Sequence, residues 1–344
     1  MSKIITLFNH KGGVSKTTTT FNLGWALADR GHKILMIDGD PQCNLTGMVL
    51  SLSGLDDFAA FYNGTPNANL YTSVRPAFAG SPEKLQAADA VTCQRDNLFL
   101  LGGHIELATF EPELSMAMKL MGALPILQNL PGAMGHLIRA TAEKYACDIV
   151  LVDLSPSIGA LNQNLLMQSD YFIVPTSPDY FSLLAIDSLS NTLPRWAQNA
   201  NDLRLQQKAL SYKIPEKNPR FIGMISQKYR PRSNKPAAAF QTWIDQIIDR
   251  VTGVLIPTLA ACDMVQREAK RAEVMPEVPH VELAQIADFN SLIARSQDEA
   301  TAVFALTDEQ LGVTGALLDS AKASRAKFLT VFAELAQRVE ALVD

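Results

Sequence analysis

The chain has 344 residues, 47% apolar and 19% charged, which is enough apolar material for a large core and too few charges for a disordered polymer. A formal net charge of −5 excludes a protein that coats nucleic acid with its whole surface, so any DNA contact has to come from a local patch. Four cysteines, Cys43, Cys93, Cys147 and Cys262, lie far apart with no CxxC pair, which argues against a zinc site or a disulfide framework and suits a reducing compartment.

The chain opens MSKIITLFNHKGG, whose apolar run is too short for a secretory leader, and no stretch approaches the ~20 apolar residues of a membrane span. A soluble cytoplasmic protein is expected. Ile4 to Phe8 is a short apolar run. A Gly-rich turn follows, then Thr17 to Asp29 at helical spacing, then a second buried-strand pattern, KILMID, from Lys33 to Asp38. Strand, turn, helix, strand is a βαβ unit. Its strands are continuously apolar rather than alternating, as in a parallel sheet covered on both faces. Further strand patterns stand at Leu98 to Leu101, Ile149 to Val152, Tyr171 to Pro175 and Phe221 to Ile225, with helical stretches between them. They predict an α/β fold: a doubly wound, mostly parallel sheet with helices on both faces. Residues 50–96, rich in Gly, Pro, Ala and Asn, read as an irregular, partly helical insertion.

The turn after the first strand reads NHKGGVSKTTT, Asn9 to Thr19. A Gly-rich turn there lets backbone N–H groups gather round a polyphosphate at the positive end of the next helix. Gly12, Gly13, Val14, Ser15, Lys16, Thr17 and Thr18 are candidate ATP-binding residues, with Lys16 placed to reach the β and γ phosphates and the Thr17 hydroxyl to ligate Mg2+. The ordinary GxxxxGK[ST] pattern fails, because His10 and Ser15 stand where its glycines belong; a second lysine, Lys11, marks KGGxxK[ST] instead. The second strand leads into IDGDPQCN, which puts Asp38 and Asp40 at the carboxyl edge of the sheet, where open α/β sheets bind ligands. CDIVLVDLSPS, Cys147 to Ser157, delivers Asp153 to the same edge, a pattern that suits a carboxylate holding an Mg2+-bound water.

These strings resemble the ParA/MinD family of deviant P-loop ATPases, and the likeness runs from about Lys3 to Glu273. KGGVSKT resembles its phosphate loop, with Ser15 where Gly is usual. IDGDPQCN is similar to its DxDPQxN switch. DLSPS is similar to its DxPP turn, with Ser155 for the first proline, and DYFIVPTSPDYFSLLAI to its stretch ending in Pro-x-x-Pro-x-x-Tyr/Phe. The resemblance implies a P-loop NTPase fold, ATP and Mg2+, and a homodimer that forms on ATP binding. It implies that Lys11 contacts, and joins the ATP-binding set of, the other subunit's nucleotide. Asp38 then supports the Mg2+ shell and Asp40 orients the attacking water. Lys11, Lys16 and Asp40 are thus the candidate catalytic residues, and Thr17, Asp38 and Asp153 the candidate metal residues. Turnover is expected to be slow until a ParB-like activator completes the site.

SQKYRPRSNKP, Ser226 to Pro236, carries Lys228, Arg230, Arg232 and Lys235 with no acid among them. A solvated basic loop and a DNA-contacting loop both fit. Arg232 stands where ParA-branch proteins resembling this chain carry the arginine of DARTN, which contacts DNA without sequence preference. Arg267, Lys270 and Arg271 form a second basic cluster, diluted by Glu268 and Glu273, in which Arg267 and Lys270 are further candidate DNA contacts. The layout expected is an ATPase domain over 1–280 and a mostly helical C-terminal extension over 281–344 packed on it. There Thr307 to Gln310 reads as a capping box, and Phe328, Val331, Phe332, Leu335, Val339 and Leu342 fall on one helical face. That stripe packs on the domain or a partner, or lies on a membrane, from which Glu334, Glu340 and Asp344 would be repelled. Two functions stay open. One is a nucleoid-associated ParA-type ATPase that binds DNA non-specifically and segregates or positions a plasmid, a chromosome or another cargo, with no membrane partner. The other is a MinD-type membrane-associated regulator. Electron-transfer or metal-delivery relatives would need cysteines paired across the dimer, and the four present do not fall there. With the first strand at residue 4, no N-terminal operator-binding helix-turn-helix is expected.

Overall fold

The continuously apolar runs become the inner strands of one sheet, and the turns after them collect along its carboxyl edge. The computed structural model describes residues 2–81, 83–120, 127–206, 211–232 and 235–344. In chain order its elements are β1 (Lys3–Leu7), α1 (Lys16–Asp29), β2 (Ile34–Asp38), α2 (Asn44–Leu50), α3 (Leu55–Gly64), α4 (Leu70–Phe78), β3 (Val91–Thr92), β4 (Leu98–Leu101), α5 (Glu111–Leu120), α6 (Leu130–Lys144), β5 (Ile149–Asp153) and α7 (Ala160–Met167). There follow β6 (Tyr171–Thr176), α8 (Tyr180–Gln206), β7 (Arg220–Tyr229), β8 (Pro231–Arg232), β9 (Lys235–Pro236), α9 (Ala238–Arg250), α10 (Ile256–Ala260), α11 (Glu268–Val274), β10 (Glu282–Ala287), α12 (Leu292–Asp298) and α13 (Ala316–Val343).

Eight strands form the main sheet in the order β10-β7-β6-β1-β5-β2-β4-β3. Every pairing is parallel except β3 with β4. β1 lies between β5 and β6, with Leu7 beside Asp153 and, across β5, Asp38 beside Asp153. Successive strand residues serve opposite layers. Ile4, Phe8, Leu35, Ile37, Val150 and Val152 enter one core, against α4 to α8. Ile5, Leu7, Ile34, Met36, Ile149 and Leu151 enter the other, against α1, α2, α12 and α13. Burial on both faces is why these strands read as unbroken apolar runs.

The insertion carries two helices, α3 and α4, and the short antiparallel strand β3. β10, within the segment assigned to the C-terminal extension, joins the sheet as its edge strand beside β7. Its half-buried pattern carries no strand signal in the sequence. The capping box at Thr307 forms: Gln310 N donates to Thr307 Oγ1 at 3.2 Å and Thr307 N to Gln310 Oε1 at 2.8 Å. It closes a turn, however, and the helix starts only at Ala316. Leu306 and Leu311 are both buried, and positions five apart would point ~140° away from each other on a helix. The apolar stripe of α13 is covered by the domain: Phe328, Phe332, Leu335, Val339 and Leu342 are buried and Val331 packs against the same core.

Candidate functional site

β1, β2 and β5 end side by side, and each end delivers one part of the site. From β1 the chain turns through Asn9 to Ser15 into α1. Asn9 is buried; its Nδ2 donates to the Pro175 carbonyl at 2.8 Å and its Oδ1 accepts from Lys11 N at 3.0 Å, so the loop is pinned to the end of β6. Gly13 has φ 73°, a turn that glycine makes without strain. Ser15 has φ 54° and precedes α1 with no side-chain cap, so the first N–H groups of α1 have no side-chain competitor for an anion. Val14 and Thr18 are buried, Gly12 and Gly13 exposed. Lys16 is buried, and its Nζ donates to the Asn9 carbonyl at 2.9 Å across the loop. Burial lowers its pKa, opposed by Asp153 and Asp40.

The carboxylates come from β5, next to β1, and from β2 and the turn after it, one strand further out. Asp38 is fully buried; its Oδ2 accepts from Thr46 Oγ1 at 2.6 Å and Thr46 N at 2.8 Å. Burial pushes its pKa up to about 6, against those hydrogen bonds. Burial and then the charge of Asp38 raise that of Asp153 far above the usual carboxylate range. Asp40 is raised by burial too, and its Oδ1 accepts from Gln42 N at 2.9 Å. The fit to Mg2+ rests on Asp153. Its Oδ2 accepts from the Thr17 hydroxyl at 2.7 Å, while its Oδ1 is buried with no hydrogen-bond partner. An orphaned carboxylate oxygen beside a threonine hydroxyl suits a hard cation, and Mg2+ characteristically takes one or two carboxylates and completes its shell with phosphate oxygens and water. Among the described residues no three His, Cys, Asp or Glu side chains converge to hold a metal by themselves. The cysteines are free and mutually unpaired.

Lys11 points away from Lys16. Its Nζ donates to Asp179 at 2.5 and 2.7 Å and to Ser182 Oγ at 3.0 Å, both at the start of α8. Asp179 also accepts from Ser182 N at 2.8 Å, as a helix cap does. Nothing in the sequence singles out Asp179, Ser182 or Thr46. An Asp before a helix reads there as a cap, and nothing local reveals a lysine 168 residues away as its partner. Next to Asp179 in the chain, Tyr180 and Phe181 are exposed.

The basic segments are separated. Lys228 and Arg230 are exposed, at the carboxyl end of β7. The β8–β9 hairpin then pairs Arg232 with Lys235; residues 233–234 lie outside the described residues. Arg267 sits instead beside Phe221, whose carbonyl accepts from Gln266 N at 3.0 Å. Eight strand residues, ~26 Å, separate Phe221 from Tyr229. The two clusters therefore do not form one patch at their roots. Arg271 is buried, with Nη1 on the His280 carbonyl at 3.0 Å and Nε on the Gln266 carbonyl at 3.2 Å, so it is a packing residue. Lys270 Nζ lies 4.0 Å from Glu273.

A Gly-turn loop entering a helix at the carboxyl edge of a parallel sheet, with acids from the adjacent strand β5 and from β2 beyond it, defines a P-loop nucleotide-binding protein. Residues 2–205 match the family model described as AAA domain (AAA_31), well over half of the chain, and the chain belongs to this family, among the P-loop ATPases of ParA/MinD type. It is 32% identical over 197 residues to the sporulation initiation inhibitor protein Soj of Bacillus subtilis, covering 56% of this chain and 65% of Soj. It is 28% identical over 210 residues to the chromosome partitioning protein ParA of Myxococcus xanthus, covering 60% and 63%. Each match spans just under two thirds of the relative. The fold is similar to that of a Corynebacterium diphtheriae protein, with a TM-score of 0.62 at 21% identity over 87% of this chain and 97% of that one.

Proposed function

We propose that the chain is a ParA-type ATPase. It binds Mg2+–ATP at Gly12 to Thr18, dimerises on binding it, holds DNA non-specifically through the Lys228–Lys235 segment, and lets go when a partner of ParB type stimulates hydrolysis. The observation that carries this reading is Lys11. A phosphate loop needs one lysine for its own phosphates, and Lys16 lies across the loop for that purpose. Lys11 is instead engaged with Asp179, whose chain neighbours Tyr180 and Phe181 are exposed, and there a second copy could meet it. Two nucleotides facing each other concentrate negative charge that a lysine from each partner would offset.

Bound Mg2+ would neutralise charge on the transferring phosphoryl group. The chain's own residues do the rest. Thr17 and Asp153 hold the cation's shell, Asp38 supports it from the next strand, and Asp40 orients water. Neither a covalent nucleophile nor a proton relay is needed, since positioning and electrostatics suffice for phosphoryl transfer to water.

Chromosome or plasmid partitioning is the cargo that the similarity to ParA favours. A MinD-type role in which α13 lies on a membrane is disfavoured, because α13 uses its apolar face against the domain. No helix among the described residues is long and apolar enough to cross a membrane. The deciding assay is DNA binding against salt with ATP, ADP and no nucleotide. We expect tight binding with ATP alone, and for Arg232→Glu a salt slope flatter by ~0.9 for each phosphate no longer neutralised, with ATP affinity unchanged. DNA affinity indifferent to nucleotide, or ATP-dependent flotation with liposomes and none with DNA, would overturn the proposal.

A further inference from the structure

α3 is an unusual helix for its position. It lies over the switch that carries Asp38 and Asp40, yet none of its residues is fully buried, and Leu55 at its start is 91% exposed. Three aromatic rings fasten it. Phe58 packs on Gly47 of α2, where an added Cβ would come within 3.5 Å of the ring. Phe61 covers Gly102 at the end of β4, where an added Cβ would come within 3.1 Å. Tyr62 reaches furthest in: its hydroxyl donates to the Gly103 carbonyl at 3.0 Å and lies 3.6 Å from Cys43 Sγ, and its ring packs on His104 at 4.4 Å.

From Tyr62 the contacts lead to the acid through the two peptide groups that flank Gly103, the carbonyl on one side and the N–H on the other. Gly103 N donates to Thr46 Oγ1 at 2.8 Å, and Thr46 Oγ1 donates to Asp38 Oδ2 at 2.6 Å. Gly103 is held against the carboxylate itself: a Cβ there would stand 2.9 Å from Asp38 Cγ. On its other side Tyr62 covers Cys43, a non-glycine residue in the left-handed region (φ 56°) at the turn between Asp40 and α2. Such a turn persists only where its surroundings hold it.

We propose that Tyr62 is a positioning residue of the ATPase site: through Gly103 and Thr46 it fixes the Asp38 carboxylate, and through Cys43 it fixes the turn that bears Asp40. The phosphate loop, which binds the triphosphate, makes none of these contacts. Loss of the Tyr62 hydroxyl therefore lowers kcat and the response to Mg2+ and leaves the KM for ATP in place. The proposal rests on the ATPase reading above, and one control separates the two. Wild-type hydrolysis abolished in Lys16→Ala upholds that reading; absence of wild-type hydrolysis removes both.

The experiment compares Tyr62→Phe, Thr46→Val and the double variant in the full chain. Tyr62→Phe keeps the ring and should lower kcat ~3- to 10-fold, raise the Mg2+ concentration for half-maximal rate, and leave KM within ~2-fold, the pattern of a misplaced group rather than weakened binding. Because both substitutions cut one path, the double variant should be little worse than Thr46→Val alone, while Thr46→Ser keeps the wild-type rate. A second readout needs no nucleotide. Amide exchange at Gly103 and Thr46, whose N–H groups lie on this path, should speed up ~10-fold in Tyr62→Phe. Unchanged kcat and exchange in Tyr62→Phe, or independent, multiplying effects in the double variant, would overturn it.

Discussion

Ser15 holds φ 54° in the phosphate loop, a conformation that costs a residue with a Cβ ~1–2 kcal/mol. Ser15→Gly relieves that cost and loses part of the gain to the greater freedom of the unfolded chain, so a net stabilisation below ~1 kcal/mol is expected by thermal unfolding, with ATP binding retained. The acids behave differently, because Asp38 and Asp153 are raised by burial. A carboxyl with a higher pKa folded than unfolded binds more protons in the native state. Its contribution to stability is full below ~4, falls as pH rises above that, and is gone once pH has passed the folded value, about 6 for Asp38 and higher for Asp153. The nucleotide-free protein should therefore lose Tm as pH climbs from ~5.5 to ~8.5. Mg2+ needs the same groups ionised, so its affinity should rise over that range, with proton release seen by calorimetry in two buffers of different ionisation enthalpy. A Tm indifferent to pH in the free protein would contradict the burial of these two acids.

At the scale of elements, α13 is the long helix whose apolar stripe admitted two fates. Phe332 is fully buried, with rings of Phe304 at 5.6 Å and Phe289 at 6.2 Å. At the far end Glu340 accepts from His32 at 2.8 Å and pairs with Arg30, which ties α13 to the end of α1. Phe332→Ala should cost ~3–5 kcal/mol in denaturant unfolding, as a large buried ring does. A change below ~1 kcal/mol would mean that α13 does not belong to the core. Residue spacing reveals the stripe but not its cover, which residues of β10, α1 and the 288–311 segment supply. The same limit applies to β10, whose half-polar pattern gains meaning only once β7 lies beside it.

For the whole molecule the question is what Lys11 does when it leaves Asp179. In the free chain the ion pair at 2.5 Å holds it in its own subunit, although Asp179 is nearly half exposed and the pair is correspondingly weakened by solvent. Asp179→Asn keeps a capping side chain on α8 and removes the charge. If Lys11 works across a dimer, this variant should dimerise at a roughly 5-fold lower protein concentration with ATP and remain monomeric without it, read by light scattering after size exclusion. Equal dimerisation of wild type and variant would show that the cis pair does not compete.

The sequence by itself determined the parallel sheet, because strands buried on both faces must be apolar throughout, and it pointed to the phosphate loop, Asp38, Asp40 and Asp153 as candidates, because each stands at or just past the carboxyl end of such a strand. Its net charge also confines any DNA contact to a local patch. Only the tertiary structure decided that Lys11 rests on Asp179, that Arg271 is buried, that the basic clusters stand at opposite ends of β7, and that Tyr62 reaches Asp38 through Gly103. Apart from Arg271, whose partners Gln266 and His280 are five and nine residues away, those pairings join residues that lie far apart along the chain. The side chain that each will meet is set by which strands lie adjacent, a property of the folded sheet that no short window of sequence contains.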